Sequence, residues 1–484
     1  MVETGPAVTL TFVVYLLVVL AIGIVAWRST ASLRDYILGG RRLGRWTTAL
    51  SAQASDMSGW LLLGLPGYAY LAGMESVWLV VGLLLGTWLN WRLTAQRLRV
   101  ATEAYGDALT LPEYLQRRFA DPHGLLRLLG AAVVLLFFTF YTASGLVAGG
   151  KLFEAVFDLP YAWAVTAGAG AVLAYTFIGG FLAVSWTDAL QGMLMLVALV
   201  LVACVGVAAT GGFSGLAAGL EATNPALLSA FTDAAGAPLT VIAVVSLLGW
   251  GLGYFGQPHI LARFMAVRSA SELHASRRIA VAWVSIALAA ATLVGLAGAA
   301  WLDPPLQGAD SEKVFMGMAA ALLHPVIAGI CLAGILAAVM STADSQLLVA
   351  SSAVSEDLYR DLLRPNAAPG ELLWIGRFAV IAIAIGAFLL ALDPDSKVLD
   401  LVAYAWAGFG ASFGPTILAS LYWRRMSLAG AYAGILTGGI TVVAWRQLSG
   451  GLFDLYEIVP GVILSALAVA VFGRLGRPAP MPGA

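Results

Sequence analysis

Residues 51–68 read Ser51-Ala52-Gln53-Ala54-Ser55-Asp56-Met57-Ser58-Gly59-Trp60-Leu61-Leu62-Leu63-Gly64-Leu65-Pro66-Gly67-Tyr68. They lie inside an apolar window long enough to cross a bilayer, yet Ser55, Asp56, Ser58 and Gly59 interrupt it. A carboxylate near the middle of a membrane helix costs about 3 kcal/mol on insertion scales, so it normally has a partner or a task. Small residues on either side let the backbone leave helical geometry, which is tolerable only where the freed carbonyls and amides face protein, ligand or water. A broken membrane helix carrying an acid can hold a cation beside a substrate. The plainer alternative is a Gly/Ser-lined helix contact with Asp56 ion-paired or protonated.

Working outward, composition sets the class. Hydrophobic residues fill 60% of 484 positions and charged residues 11%, against about 25% charged in soluble domains. An all-α integral membrane protein follows, built as a single transporter domain over 1–484 in contact with the lipid bilayer. The net charge of −1 argues against a nucleic-acid partner, and no obligate protein partner is indicated. Cys204 and Cys331 stand in apolar runs without ligand-like spacing, so neither a disulfide framework nor a zinc site is expected. The leader before the first apolar run holds Glu3 and no Lys or Arg, which reads as a retained span rather than a cleaved signal.

Windows near 8–27, 47–73, 75–97, 126–155, 161–180, 184–210, 239–262, 279–302, 325–355, 374–392, 398–423, 427–446 and 457–474 predict 13 transmembrane helices. Charge supports the count. With the N-terminus outside, alternate loops facing the cytoplasm hold all of the 26 Lys and Arg except Lys151, Lys313, Lys397 and Arg446, as the positive-inside tendency requires. The C-terminus then lies in the cytoplasm, and the protein is multi-pass in the plasma membrane. Thr110 with Pro112 predicts a short amphipathic helix over 110–119. Residues 211–238 form the longest outside loop, and the tail from Arg477 reads as disordered.

Span seven is interrupted by Gly-Trp-Gly-Leu-Gly-Tyr-Phe-Gly-Gln-Pro at 249–258. It stands five spans after the broken span two, and an odd offset reverses orientation. Spans 2–6 and 7–11 therefore suit a five-plus-five inverted repeat (47–210 and 239–423), each half led by a discontinuous helix. Two peripheral helices at 427–474 follow.

A second oxygen-rich stretch runs from Leu336 to Ser352. Helical spacing puts Ala338, Ser341, Thr342 and Ser345 on one stripe, with Asp344 sharing much of that face. Hydroxyls and carbonyls without a dense carboxylate cluster suit Na+ better than Ca²⁺ or a transition metal. Trp250, Tyr254 and Pro258 follow an i, i+4, i+8 pattern that lines a cavity or makes an aromatic contact within the bundle. Tyr141 is a mid-span ring as fit for packing as for binding. Asp188 either caps a helix start or lies on an ion exit path. Arg41 and Arg42 read first as topology determinants. Enzyme motifs are missing apart from Gly410-Ala-Ser-Phe-Gly414, which falls inside a membrane span instead of the strand–turn–helix its chemistry needs. His123, His259, His274 and His324 form no ligand-spaced pair. The chain is not expected to be an enzyme.

Four stretches carry a resemblance: Asp35-Tyr-Ile-Leu-Gly-Gly-Arg-Arg-Leu-Gly44, Ser55-Asp-Met-Ser-Gly-Trp60, Gly249-Trp-Gly-Leu-Gly-Tyr-Phe-Gly-Gln-Pro-His259 and Ala338-Val-Met-Ser-Thr342. The chain resembles the sodium/solute symporter family over nearly its whole length, and within it most the proline-carrying group. The resemblance implies Na+ held by the carbonyls of Ala54, Met57 and Ala338 and the hydroxyls of Ser341 and Thr342, with Asp56 essential nearby. It implies an L-proline site lined by Ser58, Trp60, Tyr141, Trp250, Tyr254 and Pro258, with Gly59 and Gly64 allowing close approach. Asp188 would assist ion passage and Arg41 would matter to coupling. An acid at Asp344 is not a requirement of that group, and leaves open a second ion or a proton, paired with Asp188 and Ser345. The expected function is Na+-coupled symport of L-proline into the cell by alternating access. The alternatives are another small solute (a different amino acid, pantothenate, a sugar) and a membrane solute sensor.

Overall fold

The computed structural model describes residues 6–27, 33–176 and 180–475. The leader, Arg28 and the tail from Arg477, on which expectations were stated, lie outside the described residues. The expected breaks are present. Helix α1 (Pro6–Trp27) precedes α2 (Arg45–Asp56), which stops in the middle of its apolar window. After Met57, Ser58 and Gly59 the chain resumes as a π-helical turn, Trp60–Gly64, and then α3 (Leu65–Ala72). Then follow α4 (Val77–Leu93), the short α5 (Leu111–Phe119), α6 (Leu125–Phe157), α7 (Tyr161–Thr176) and α8 (Phe181–Ala209). The second break separates α9 (Val241–Gly249) and a 3-10 segment, Trp250–Gly256, from α10 (Pro258–Ala266), across a bend of 44°. Helices α11 (Leu273–Trp301), α12 (Pro325–Ser352), α13 (Pro369–Ala391), α14 (Val398–Tyr422), α15 (Leu428–Trp445) and α16 (Ile458–Phe472) complete the bundle.

By length and composition, nine helices among the described residues can cross a membrane, or ten if the bent pair counts as one span. Shorter apolar helices occupy 161–173 and 458–472. The short α5 is capped as its sequence predicts: the Thr110 hydroxyl accepts the Glu113 N–H at 3.1 Å, and Glu113 accepts the Leu109 N–H at 2.7 Å, a reciprocal capping arrangement. The long 211–238 connection contains a helix of its own, Gly212–Thr223.

Helix α12 lies at the centre, packed on α1, α2, α6 and α8, while α14 packs on α6 and on the 3-10 segment of the second break. Lipid tails offer helices no hydrophobic drive to associate, so close backbone approach does much of the work. A Cβ on Gly86 would collide with the Gly251 carbonyl oxygen, so α4 and the second break touch backbone to backbone. Large apolar side chains left exposed, such as Leu17 on α1, Leu389 on α13 and Leu467 on α16, form the lipid-facing surface.

Candidate functional site

The first break sets the geometry. Met57 adopts φ −85° and ψ 76°, which no helix continues. The Ser58 N–H, which a continuing α-helix would give to the Ala54 carbonyl, bonds the Asp56 carbonyl at 3.0 Å instead. The Ala54 carbonyl is met from α12: Ser341 donates to it at 2.8 Å and Thr342 at 3.3 Å. The Ser341 hydroxyl also lies 3.2 Å from the Ala338 carbonyl. Four of the five expected ion ligands thus converge, and Met57 is buried in the adjoining break. A hydroxyl can turn its proton aside and present a lone pair. The cluster is therefore a set of hard, neutral oxygens suited to an alkali cation.

Asp56 closes α2 with its side chain wholly buried and neither carboxylate oxygen hydrogen-bonded. The Tyr254 hydroxyl, also without a formed hydrogen bond, faces it from the second break. The Asp56 carbonyl is better served, by the Trp60 indole at 3.1 Å and the Tyr141 hydroxyl at 3.2 Å. Ser58 receives the Trp60 N–H at 3.4 Å. Trp60, Tyr141 and Tyr254 accordingly gather on the residue that ends the first half-helix.

The other expected lining residues disperse. The segment 250–256 is 3-10 rather than α, and three residues per turn fan out a stripe laid down for 3.6. Trp250 packs at a tilt of 32° against Tyr456, with ring centres 5.3 Å apart, while Tyr254 meets Trp406 edge-on at 4.9 Å. Pro258 begins α10 and faces a small cavity shared with Leu109, Leu348 and Asp357. A Cβ on Gly59 would stand 2.5 Å from that of Ala148, and one on Gly64 3.2 Å from that of Leu399. What these glycines admit in this structure is α6 and α14.

Below the oxygen cluster, Asp188 sits well inside α8 rather than at its start, which removes the capping alternative. Ser51 donates to it at 2.6 Å and Arg263 at 3.1 Å, with both charged side chains fully buried. Arg263 also donates to the Ser51 hydroxyl at 3.1 Å, to the His259 carbonyl at 3.0 Å and to the Ser345 hydroxyl. Ser345 passes on to the Ser341 carbonyl at 2.7 Å. Arg263 is thus a buried tie between helices and not a cytoplasmic loop charge. Its signal was available: a lone arginine between Leu261 and Phe264, in a run as apolar as the span before it. Asp344, fully buried on α12, lies with Asp188 within electrostatic reach of Tyr15, whose hydroxyl accepts from Gln191 at 2.7 Å. Neither Tyr15 nor Gln191 stood out in the sequence.

Both ends of the bundle are tied. Arg41 pairs with Asp107 at 2.7 Å and donates to the Met265 carbonyl at 2.6 Å, holding the loop after α1 to the end of α10. Leu43 and Ala266 add a backbone bond of 3.2 Å. At the opposite end Lys151, read as an outside charge, is buried against Glu312 at 2.6 Å. Glu312 also accepts the Val398 and Leu399 N–H groups at the start of α14, at 3.0 and 3.2 Å. Acids are favoured at such a helix start.

Comparison with known proteins places these features in a family. Residues 36–438 match the model of the sodium:solute symporter family. The sodium/proline symporter of Salmonella typhimurium is 52% identical over 472 residues, covering 96% of this chain and 93% of that one. The high-affinity proline transporter PutP of Bacillus subtilis is 47% identical, covering 93% and 94%. Among solved structures, a Na+-coupled sialic acid symporter in a substrate-bound outward-open state superposes with a TM-score of 0.80 at 20% identity, over 99% of this chain and 100% of that one.

Proposed function

The chain belongs to the sodium:solute symporter family, and from that membership we propose that it carries L-proline into the cell together with Na+ by alternating access. The observation that carries the reading is the Ala54 carbonyl, freed by the break and met by Ser341 and Thr342 across the helix interface. The Ser341 and Thr342 hydroxyls turn their protons aside, and their lone pairs with the Ala54 and Ala338 carbonyls would hold Na+, with Met57 completing the set and the Asp56 carboxylate close by. L-proline lies against Ser58, Trp60, Tyr141 and Tyr254, and Na+ orders the first break that presents the first two. Coupling follows as a population shift: the ion binds best to the arrangement that also holds the substrate. Asp188, Asp344 and Ser345 lie on the ion's way to the cytoplasm or hold a second ion, and Arg41 couples that end to the site.

Thirteen spans place the N-terminus outside and the C-terminus in the cytoplasm, with inverted repeats over 47–210 and 239–423 and two peripheral helices over 427–474. The energetics suffice. One charge crossing about 100 mV is worth about 2.3 kcal/mol, and a tenfold ion gradient adds about 1.4 kcal/mol. Equilibrium binding of labelled proline to the purified protein, in NaCl and in choline chloride, tests the reading. Na+ is expected to raise affinity, and excess pantothenate or sugar to leave binding intact. Binding equal in both salts, or displaced by those solutes, would overturn it.

A further inference from the structure

A groove of about 500 Å³ opens at the arginine-rich end of the bundle, walled by Arg97, Tyr105, Tyr114, Arg118, Tyr422 and Arg424. It lies between the helix Ala95–Ala104, which extends α4, and α5 and the end of α14. No Asp or Glu lines it, and among the described residues none of the three arginines is ion-paired. Arg118 is 2% exposed. Its Nε donates to the Ser420 carbonyl at 3.2 Å, and its Nη2 reaches the Trp423 and Arg424 carbonyls at 3.4 and 3.5 Å. Its Nη1 has no hydrogen-bond partner. A buried guanidinium N–H left unmet is costly, and three like charges in a low-dielectric wall focus a positive potential. The planar fork of arginine matches phosphate.

The rim identifies the source of that phosphate. Val100 is 53% exposed and Tyr422, with Arg97 stacked on its ring at 4.1 Å, is 46% exposed. Apolar and aromatic surface beside basic residues at the ends of membrane helices belongs at the headgroup layer, where basic pockets attract anionic lipid. We propose that this groove binds the phosphodiester headgroup of an anionic phospholipid. The site stands apart from the breaks in the first and second discontinuous helices, and its argument is the same whichever solute is carried.

Native mass spectrometry of the purified full chain, with phosphatidylglycerol or phosphatidylcholine of matched acyl chains, tests it. The wild type is expected to retain phosphatidylglycerol preferentially. The double variant Arg97→Gln/Arg424→Gln, both positions lying at the surface, is expected to bind it roughly thirtyfold more weakly. Arg118→Lys, which keeps the charge and loses the fork, is expected to fall between. Millimolar inorganic phosphate is expected to leave the lipid in place. Equal retention of the two lipids, an unchanged double variant, or displacement by inorganic phosphate, which would reassign the groove to a free anion, would each overturn the proposal.

Discussion

Arg263 reaches Asp188 at 3.1 Å with both side chains wholly buried, and the same guanidinium holds Ser51 of α2 and Ser345 of α12. One residue on the second half of the later broken helix therefore ties down the first half of the earlier one and the helix that faces it. A buried ion pair is weak evidence for stability, because desolvation offsets much of its attraction. It is better suited to a contact that two conformations make and break. In the alternating-access reading, releasing it opens the way below the oxygen cluster.

Arg263→Gln leaves Asp188 buried without its counter-charge, and is expected to cost about 3–5 kcal/mol. Thermal unfolding in detergent measures this. Adding Asp188→Asn should recover much of the loss. A double variant no better than the single one would show that Arg263 stabilises through other contacts.

Asp56→Asn keeps the shape of the side chain and removes a charge whose two oxygens have no hydrogen-bond partner. The Na+ concentration for half-maximal proline binding should rise at least tenfold, a loss of about 1.4 kcal/mol. Titrating Na+ at fixed labelled proline reads it, and an unchanged midpoint would take Asp56 out of ion binding.

Gly59→Ala forces a methyl group to within 2.5 Å of the Ala148 side chain, and overpacking of this kind costs about 1–3 kcal/mol. Ala148→Gly in the same chain should restore both the melting temperature and uptake. Gly64→Ala, with 3.2 Å to its nearest neighbour, should be milder.

Tyr141→Phe deletes the hydroxyl that donates to the Asp56 carbonyl at 3.2 Å. A net hydrogen bond of about 0.5–1.5 kcal/mol predicts a proline KM raised roughly 2- to 12-fold, with the Na+ midpoint less affected. Uptake kinetics at saturating Na+ separate the two.

The breaks were legible because they rest on local chemistry. Gly59, three residues after Asp56, and four glycines before Pro258 each weaken a helix locally. The meeting of Ser341 with Ala54 was foreshadowed by the hydroxyl stripe on α12 and supplied by the family resemblance, since residues 287 positions apart are joined only by packing. Arg263 sits at the edge of an apolar window, where position alone suggests a loop, but the short helix after the break carries it back into the bundle. The stripe of Trp250, Tyr254 and Pro258 spreads apart because 250–256 winds as a 3-10 turn, which turns Tyr254 toward Asp56 and Trp250 toward Tyr456. Trp406 on α14 and Tyr456 just before α16, the rings that Tyr254 and Trp250 meet, carry no local sign of partnership.

The most direct test of the central claim is uptake of labelled proline into proteoliposomes, with and without an inward Na+ gradient, for the wild type and Ser341→Ala. The account predicts accumulation that depends on the gradient in the wild type, and a much higher Na+ requirement once the Ser341 hydroxyl is removed. Uptake indifferent to Na+ in the wild type would contradict it.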